Sequence, residues 1–170
     1  MIWVGQLARQ PVKHSNKDFK MYKRILLLTA LIIAITSSAS GQSSGFGAGI
    51  MIGEPTGISL KNWISKTNAW DVGVAWGFGK HGAFHIHGDY LWHEYDLIKV
   101  DTGILPLYYG VGVRVLFADD SHLGIRGVVG LDYLFDGLPL DVFLELVPIF
   151  DIVPGTGFSF NGALGIRYFF

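Results

Sequence analysis

Between Ala83 and His93 the chain reads A-F-H-I-H-G-D-Y-L-W-H, and its side chains sort by twos. Phe84, Ile86, Gly88, Tyr90 and Trp92 make one set; His85, His87, Asp89, Leu91 and His93 make the other. Successive side chains of a β-strand point to opposite faces, so a strand here has one apolar and one polar face. The pattern returns in nearly every apolar segment after Ser43. Eight strands are expected, at about 44–53, 57–64, 69–78, 83–93, 106–117, 122–134, 140–149 and 157–170. The breaks between them carry turn chemistry: Glu54-Pro55-Thr56-Gly57, Lys66-Thr67-Asn68, Gly79-Lys80-His81-Gly82, Asp119-Asp120-Ser121, Asp136-Gly137 and Pro154-Gly155-Thr156-Gly157. Only the connection over 94–105 is longer. The expected fold class is all-β: an eight-stranded antiparallel up-and-down transmembrane β-barrel over residues 41–170, after an N-terminal signal peptide.

The N-terminal part carries that signal. Residues 1–20 are polar and aperiodic, and read as an extension from an upstream start. Met21-Tyr22-Lys23-Arg24 is a charged lead-in, Ile25 to Ile35 an apolar run, and Ser37 to Ser40 a string of small residues. This order marks residues 21–40 as a secretory signal peptide, with cleavage after Ala39 or Ser40. The run falls short of the roughly 20 apolar residues a membrane helix needs. Cysteine is absent, which excludes disulfides, thiolate metal sites, cysteine nucleophiles and a lipoprotein anchor. A net charge of −1 gives no basic field for nucleic acid. Charged residues make up 16% of the chain, well under the roughly 25% of soluble domains.

A soluble barrel of the lipocalin kind points its apolar face inward, and a membrane barrel points it outward. Three features favour outward. The apolar face is continuous and aromatic, as in Trp70, Val72, Val74, Trp76 and Leu107, Tyr109, Val111, Val113, Val115, Phe117, with Trp and Tyr towards strand ends. The polar face mixes charges with Gly47, Gly49, Gly73, Gly110, Gly112, Gly124, Gly130 and Gly165, which make room for large neighbours inside a narrow barrel. The chain closes on Gly165-Ile166-Arg167-Tyr168-Phe169-Phe170, which resembles the C-terminal signature read by the outer-membrane assembly machinery. The whole stretch from Gly41 onward resembles small eight-stranded outer-membrane barrels of the OmpA/OmpX general type. Gly45–Leu60 (G-F-G-A-G-I-M-I-G-E-P-T-G-I-S-L) and His85–Trp92 are also similar to an uncharacterised bacterial outer-membrane barrel family. That resemblance implies fold and an outer-membrane location reached by export, and brings no site residues.

On the polar face lie Lys61, Arg114, Arg126 and Arg167 against Asp71, Asp89, Asp132, Asp141 and Glu145. Buried charges survive when paired, so these are expected to form a charge network that plugs the lumen. Simple hairpin registers put Asp141 opposite Arg167, and Glu145 opposite Val128, one pleat from Arg126; both acid–base pairs are expected ion pairs. His85, His87 and Asp89 are the candidates for chemistry. Ligands at i and i+2 of a strand lie about 7 Å apart and can converge on one metal. No motif supplies a third ligand, and the simplest register brings Arg114 beside His85, so neither metal nor cofactor is expected. Acyl transfer needs a nucleophile within reach of a base; Ser59 and Ser159 share the polar face but lie on other strands. The short connections Gly53–Thr56, Gly79–Gly82, Ala118–Ser121 and Phe150–Thr156 leave no extended binding loops. The expectation is a monomeric outer-membrane barrel with a structural or interaction role and no open pore. Its partners would be outer-membrane lipid and, through Phe170, the assembly machinery, with no nucleic acid. The alternatives are a lipid-modifying enzyme of the lipid A deacylase kind and a lipocalin-like soluble binding barrel.

Overall fold

The structure, a computed structural model, describes residues 44–76, 84–118 and 120–170. The expected extension, the signal peptide and the Gly79–Gly82 turn lie outside them. Eight strands follow in order: β1 (Phe46–Glu54), β2 (Gly57–Trp63), β3 (Asn68–Trp76), β4 (Phe84–Glu94), β5 (Leu107–Phe117), β6 (His122–Leu134), β7 (Leu140–Val153) and β8 (Gly157–Phe169). Each pairs antiparallel with the next, and β8 returns to β1, Gly47 opposite Phe169, so the sheet closes on itself. Closure removes the unpaired edges that an open sheet would offer to other chains. The registers accumulate a stagger around the ring, which tilts the strands against the barrel axis.

The one element that differs clearly in length is β7. Expected over 140–149, it runs to Val153, because the alternation continues past Ile149: Asp151 is buried, while Phe150 and Ile152 on either side are exposed. The connection expected over Phe150–Thr156 shrinks to Pro154-Gly155-Thr156.

Polarity is inverted relative to a soluble core. Ile50, Val111, Val113 and Leu146 are each more than half exposed on the outer face, while Lys61, Arg126, Asp132 and Asp141 are fully buried inside. Towards the end that holds Phe46 and Phe169, the outer face carries a chain of ring contacts: Trp70 with Tyr90 at 4.9 Å, Tyr90 with Trp92 at 4.8 Å, Trp92 with Tyr109 at 5.8 Å. At the opposite end the outer rings are mostly phenylalanines, Phe84 against Phe117 and Phe158 against Phe160.

Inside, apolar side chains fill what the charges leave: Met51, Leu91, Val128, Phe143, Val147 and Ile149 belong to one cluster. Trp63, Ala69 and Phe169, with Tyr95 packed against them, close the end near the start of β1. The segment from Tyr95 to Pro106 is tied to that end by backbone bonds between Ile104 and Leu134 (3.0 and 2.8 Å) and by Tyr133 Oη donating to Thr102 O at 3.0 Å.

Glycines face the largest interior groups. A Cβ on Gly73 would run into the His87 ring, one on Gly130 into the Tyr108 ring, and one on Gly165 into the Phe143 ring. These are positions where volume, and not backbone freedom, excludes a side chain. Gly73→Val is therefore expected to destabilise the barrel by about 1–3 kcal/mol through overpacking. A lowered urea midpoint with a displaced His87 ring resonance would be the signature. An unchanged midpoint would mean the His87 ring does not occupy that space.

Candidate functional site

The interior charges stack in three tiers, and most bonds cross the lumen between strands that are not neighbours. The first tier lies nearest the Phe46–Phe169 end. Lys61 of β2 donates to Asp132 of β6 across the lumen and lies 2.9 Å from His93 Nε2. Arg167 of β8 meets Asp141 of β7 with Nε–Oδ1 and Nη2–Oδ2 both at 3.0 Å, reaches Asp71 of β3 through Nη1, and donates to Ser59 Oγ at 3.4 Å. Aromatic faces cover the cations: Phe143 lies 4.1 Å from the Arg167 guanidinium and Trp63 4.2 Å from Lys61 Nζ. Such dense pairing offsets the cost of removing these charges from water.

In the second tier Arg126 of β6 donates through Nε to both Asp89 oxygens, at 3.0 and 3.2 Å, across to β4. Glu145 stands 3.8 Å from Arg126 Nη2 and accepts a hydrogen bond from Tyr108 Oη at 3.2 Å. The third tier lies towards the opposite end, where Arg114 donates from Nε and Nη2 to Asp151, at 3.1 and 2.6 Å. This fork-to-carboxylate geometry is the strong form of the interaction.

The expected registers meet the structure unevenly. Asp141 lies opposite Arg167 and Glu145 opposite Ala163, as the β7–β8 hairpin implies. Glu145 faces Gly130 instead of Val128. The β6–β7 connection is a four-residue loop closed by Phe135 N–H to Leu140 O at 3.2 Å, and not a two-residue turn on Asp136-Gly137; recentring the hairpin by one residue moves each partner by two. Arg126 consequently bonds most closely to Asp89, with Glu145 at the looser distance. Arg114 faces His87, with His85 opposite Leu116. Gly73 and Ala75 of β3 stand opposite His87 and His85, small against large.

His85, His87 and Asp89 do share one face of β4. The two rings meet edge to face at 5.2 Å between centroids, and Asp89 is held by Arg126. Among the described residues no group of three or more His, Asp or Glu side chains is placed to hold a metal ion. Ser59 is bonded to Arg167, and Ser159 faces Ile149 across β7–β8 with its hydroxyl unbonded, so neither candidate serine is hydrogen-bonded to a histidine among the described residues. His85 Nε2 is buried without a hydrogen-bond partner. The partners of three interior groups escape a reading of the sequence alone. Asp151 falls in an expected connection, Tyr108 stands beside the outward Tyr109, and nothing local joins His93 to the charges. Continuing the two-residue period through β7 is the signal that finds Asp151.

No protein-family model and no curated protein matches the sequence. Among solved structures, the chain is similar to the N-terminal β-barrel domain of Pseudomonas aeruginosa OprF, at TM-score 0.58 and 13% identity, over 77% of this chain and 100% of that one. At that identity the likeness is one of fold: an eight-stranded antiparallel closed barrel of the kind seen in an outer-membrane protein.

Proposed function

We propose that this protein is an integral outer-membrane barrel with a structural or interaction role and a lumen closed to ion flow. The observation that carries the reading is the inverted polarity: a continuous apolar outer face around a core of paired charges. In water such a surface would be a large exposed apolar patch. In lipid it is the required one, because a closed barrel satisfies every strand bond internally and presents only side chains outward. A lipocalin-like binding barrel needs the opposite facing. Aromatic rings near both ends fit the interfacial girdles of such barrels. Export through residues 21–40 and recognition of Phe170 by the assembly machinery complete the reading. A closed sheet without edges supports a monomer.

Tiers of side chains spanning the interior from β2 to β6 and from β4 to β6, with Phe143 and Met51 in the interior cluster between them, support a plugged lumen. The lipid-modifying alternative has no hydrogen bond from Ser59 or Ser159 to a histidine, and the structural role is the better supported. The protein should fractionate with outer membranes and migrate differently on gels with and without boiling. In planar bilayers the refolded chain should give no stable conductance steps. Recovery as a soluble monomer without detergent would overturn the membrane reading; large stable steps would overturn the closed lumen. Acyl loss from lipid A that disappears in His85→Ala would make the protein an enzyme.

A further inference from the structure

At the end remote from Phe46 and Phe169 the barrel wall is uneven. β1 and β2 have 9 and 7 residues, whereas β7 and β8 have 14 and 13. The low side leaves a cup of about 320 Å³ inside the rim, lined among others by Glu54, Ala75, His85, Arg114, Leu116 and Asn161. Below it lies the Arg114–Asp151 pair. From the geometry we propose that this cup binds a sugar ring.

The argument is one of matching chemistry. The lining offers both kinds of hydrogen-bonding group: the Arg114 guanidinium and Asn161 amide donate, and the Asn161 carbonyl accepts. His85 is only 6% exposed, lines the cup, and keeps Nε2 without a partner, so a buried polar atom there gains from a ligand hydroxyl. A hydroxyl both donates and accepts, and so suits either ring tautomer. Charge argues against an ion as ligand. The guanidinium of the lining is already forked onto Asp151, and among the described lining residues Glu54 is the remaining charged one. An anion meets an arginine already paired and the Glu54 charge, and a cation finds among the described residues no group of three His, Asp or Glu side chains to hold it. A neutral, hydroxyl-rich molecule meets neither penalty, and Ala75, Leu116 and Pro55 give its C–H faces apolar contact.

Two sources share this chemistry: a sugar in solution, and the sugar headgroup of a membrane glycolipid reaching over the low β1–β2 side. The second source rests on the outer-membrane reading; binding of a free sugar does not. The test uses saturation-transfer NMR on the full chain refolded in micelles, with glucose, galactose and N-acetylglucosamine as probes, and titration with inorganic phosphate and with zinc alongside. A parallel arm uses bilayer discs containing a glycolipid, against discs of phospholipid alone. Transfer to the ring protons of at least one probe or of the glycolipid headgroup is expected, weakened about tenfold in His85→Leu and again in Asn161→Leu, the loss of one hydrogen bond each. Asn161 is only half-buried, so its variant folds even if His85→Leu does not. Transfer from the glycolipid alone assigns the bilayer source, and transfer from free sugar assigns the soluble one. No transfer in either arm at about 10 mM probe, beyond the weakest affinity class worth assigning, overturns the proposal. So does transfer that both variants leave unchanged, or a response to phosphate or zinc at lower concentration than to any sugar. Failure of the outer-membrane reading would appear separately, as detergent-free solubility.

Discussion

Arg167→Met is expected to cost about 3–5 kcal/mol of unfolding free energy, the loss typical of removing one partner from a buried ion pair. Arg167 is 1% exposed and holds two carboxylates at once, Asp141 on the neighbouring strand and Asp71 across the lumen, with Asp132 at 3.8 Å. Without it, three buried carboxylates keep Lys61 as the nearest cation, within 4 Å of Asp132 and Asp141 but not of Asp71. The shape of the recovery is the informative part. In a simple pair, removing the second partner as well restores most of the loss. Here Arg167→Met with Asp141→Leu leaves Asp71 still stranded, so the double variant should recover only part. Adding Asp71→Leu should recover most of the remainder, because Lys61 and Asp132 then stay matched to each other. Urea unfolding in lipid, followed by gel migration of the folded form, compares the parent chain with these three variants and with Asp141→Leu and Asp71→Leu alone. Strictly additive losses would show that these side chains do not interact.

The same residues show what the sequence makes legible and what it hides. Facing is encoded locally: His85, His87, Asp89 and His93 are buried at alternate positions while Phe84 and Ile86 are exposed, and a period of two is sufficient to place them. Strand pairing is equally legible where a tight turn fixes it, as at Asp141 and Arg167. Partner choice is not, because it depends on distances across the lumen. Arg126 is on β6 and Asp89 on β4, strands that do not pair, and only the curvature of the closed sheet brings them to 3.0 Å. Lys61 with Asp132 and Arg167 with Asp71 belong to the same class. A long side chain in a narrow barrel selects among several strands, and a linear reading ranks only adjacent ones. Asp151 is hidden for another reason: Pro154-Gly155 is a strong turn signal, and it draws the strand boundary too early.

Val113→Arg separates the membrane reading from its alternative with the second-largest effect. Val113 lies on the outer face midway along β5, opposite Gly88 and Ile125, and is 54% exposed. If lipid covers that face, an arginine there costs about 2–4 kcal/mol near the bilayer midplane and about 0–1 near an interface. Phe117→Arg, at the strand's end, supplies the shallow comparison on the same face. The difference between the two is the observable, because it cancels whatever the arginine does to strand propensity. In water neither position desolvates the charge, and both changes stay within about 0.5 kcal/mol, as for ordinary surface substitutions. Unfolding titrations in liposomes should therefore show a deep penalty at Val113 and a shallow one at Phe117. Equal, small effects at the two depths would mean that this face meets water, and the inverted barrel would need a protein partner to cover it.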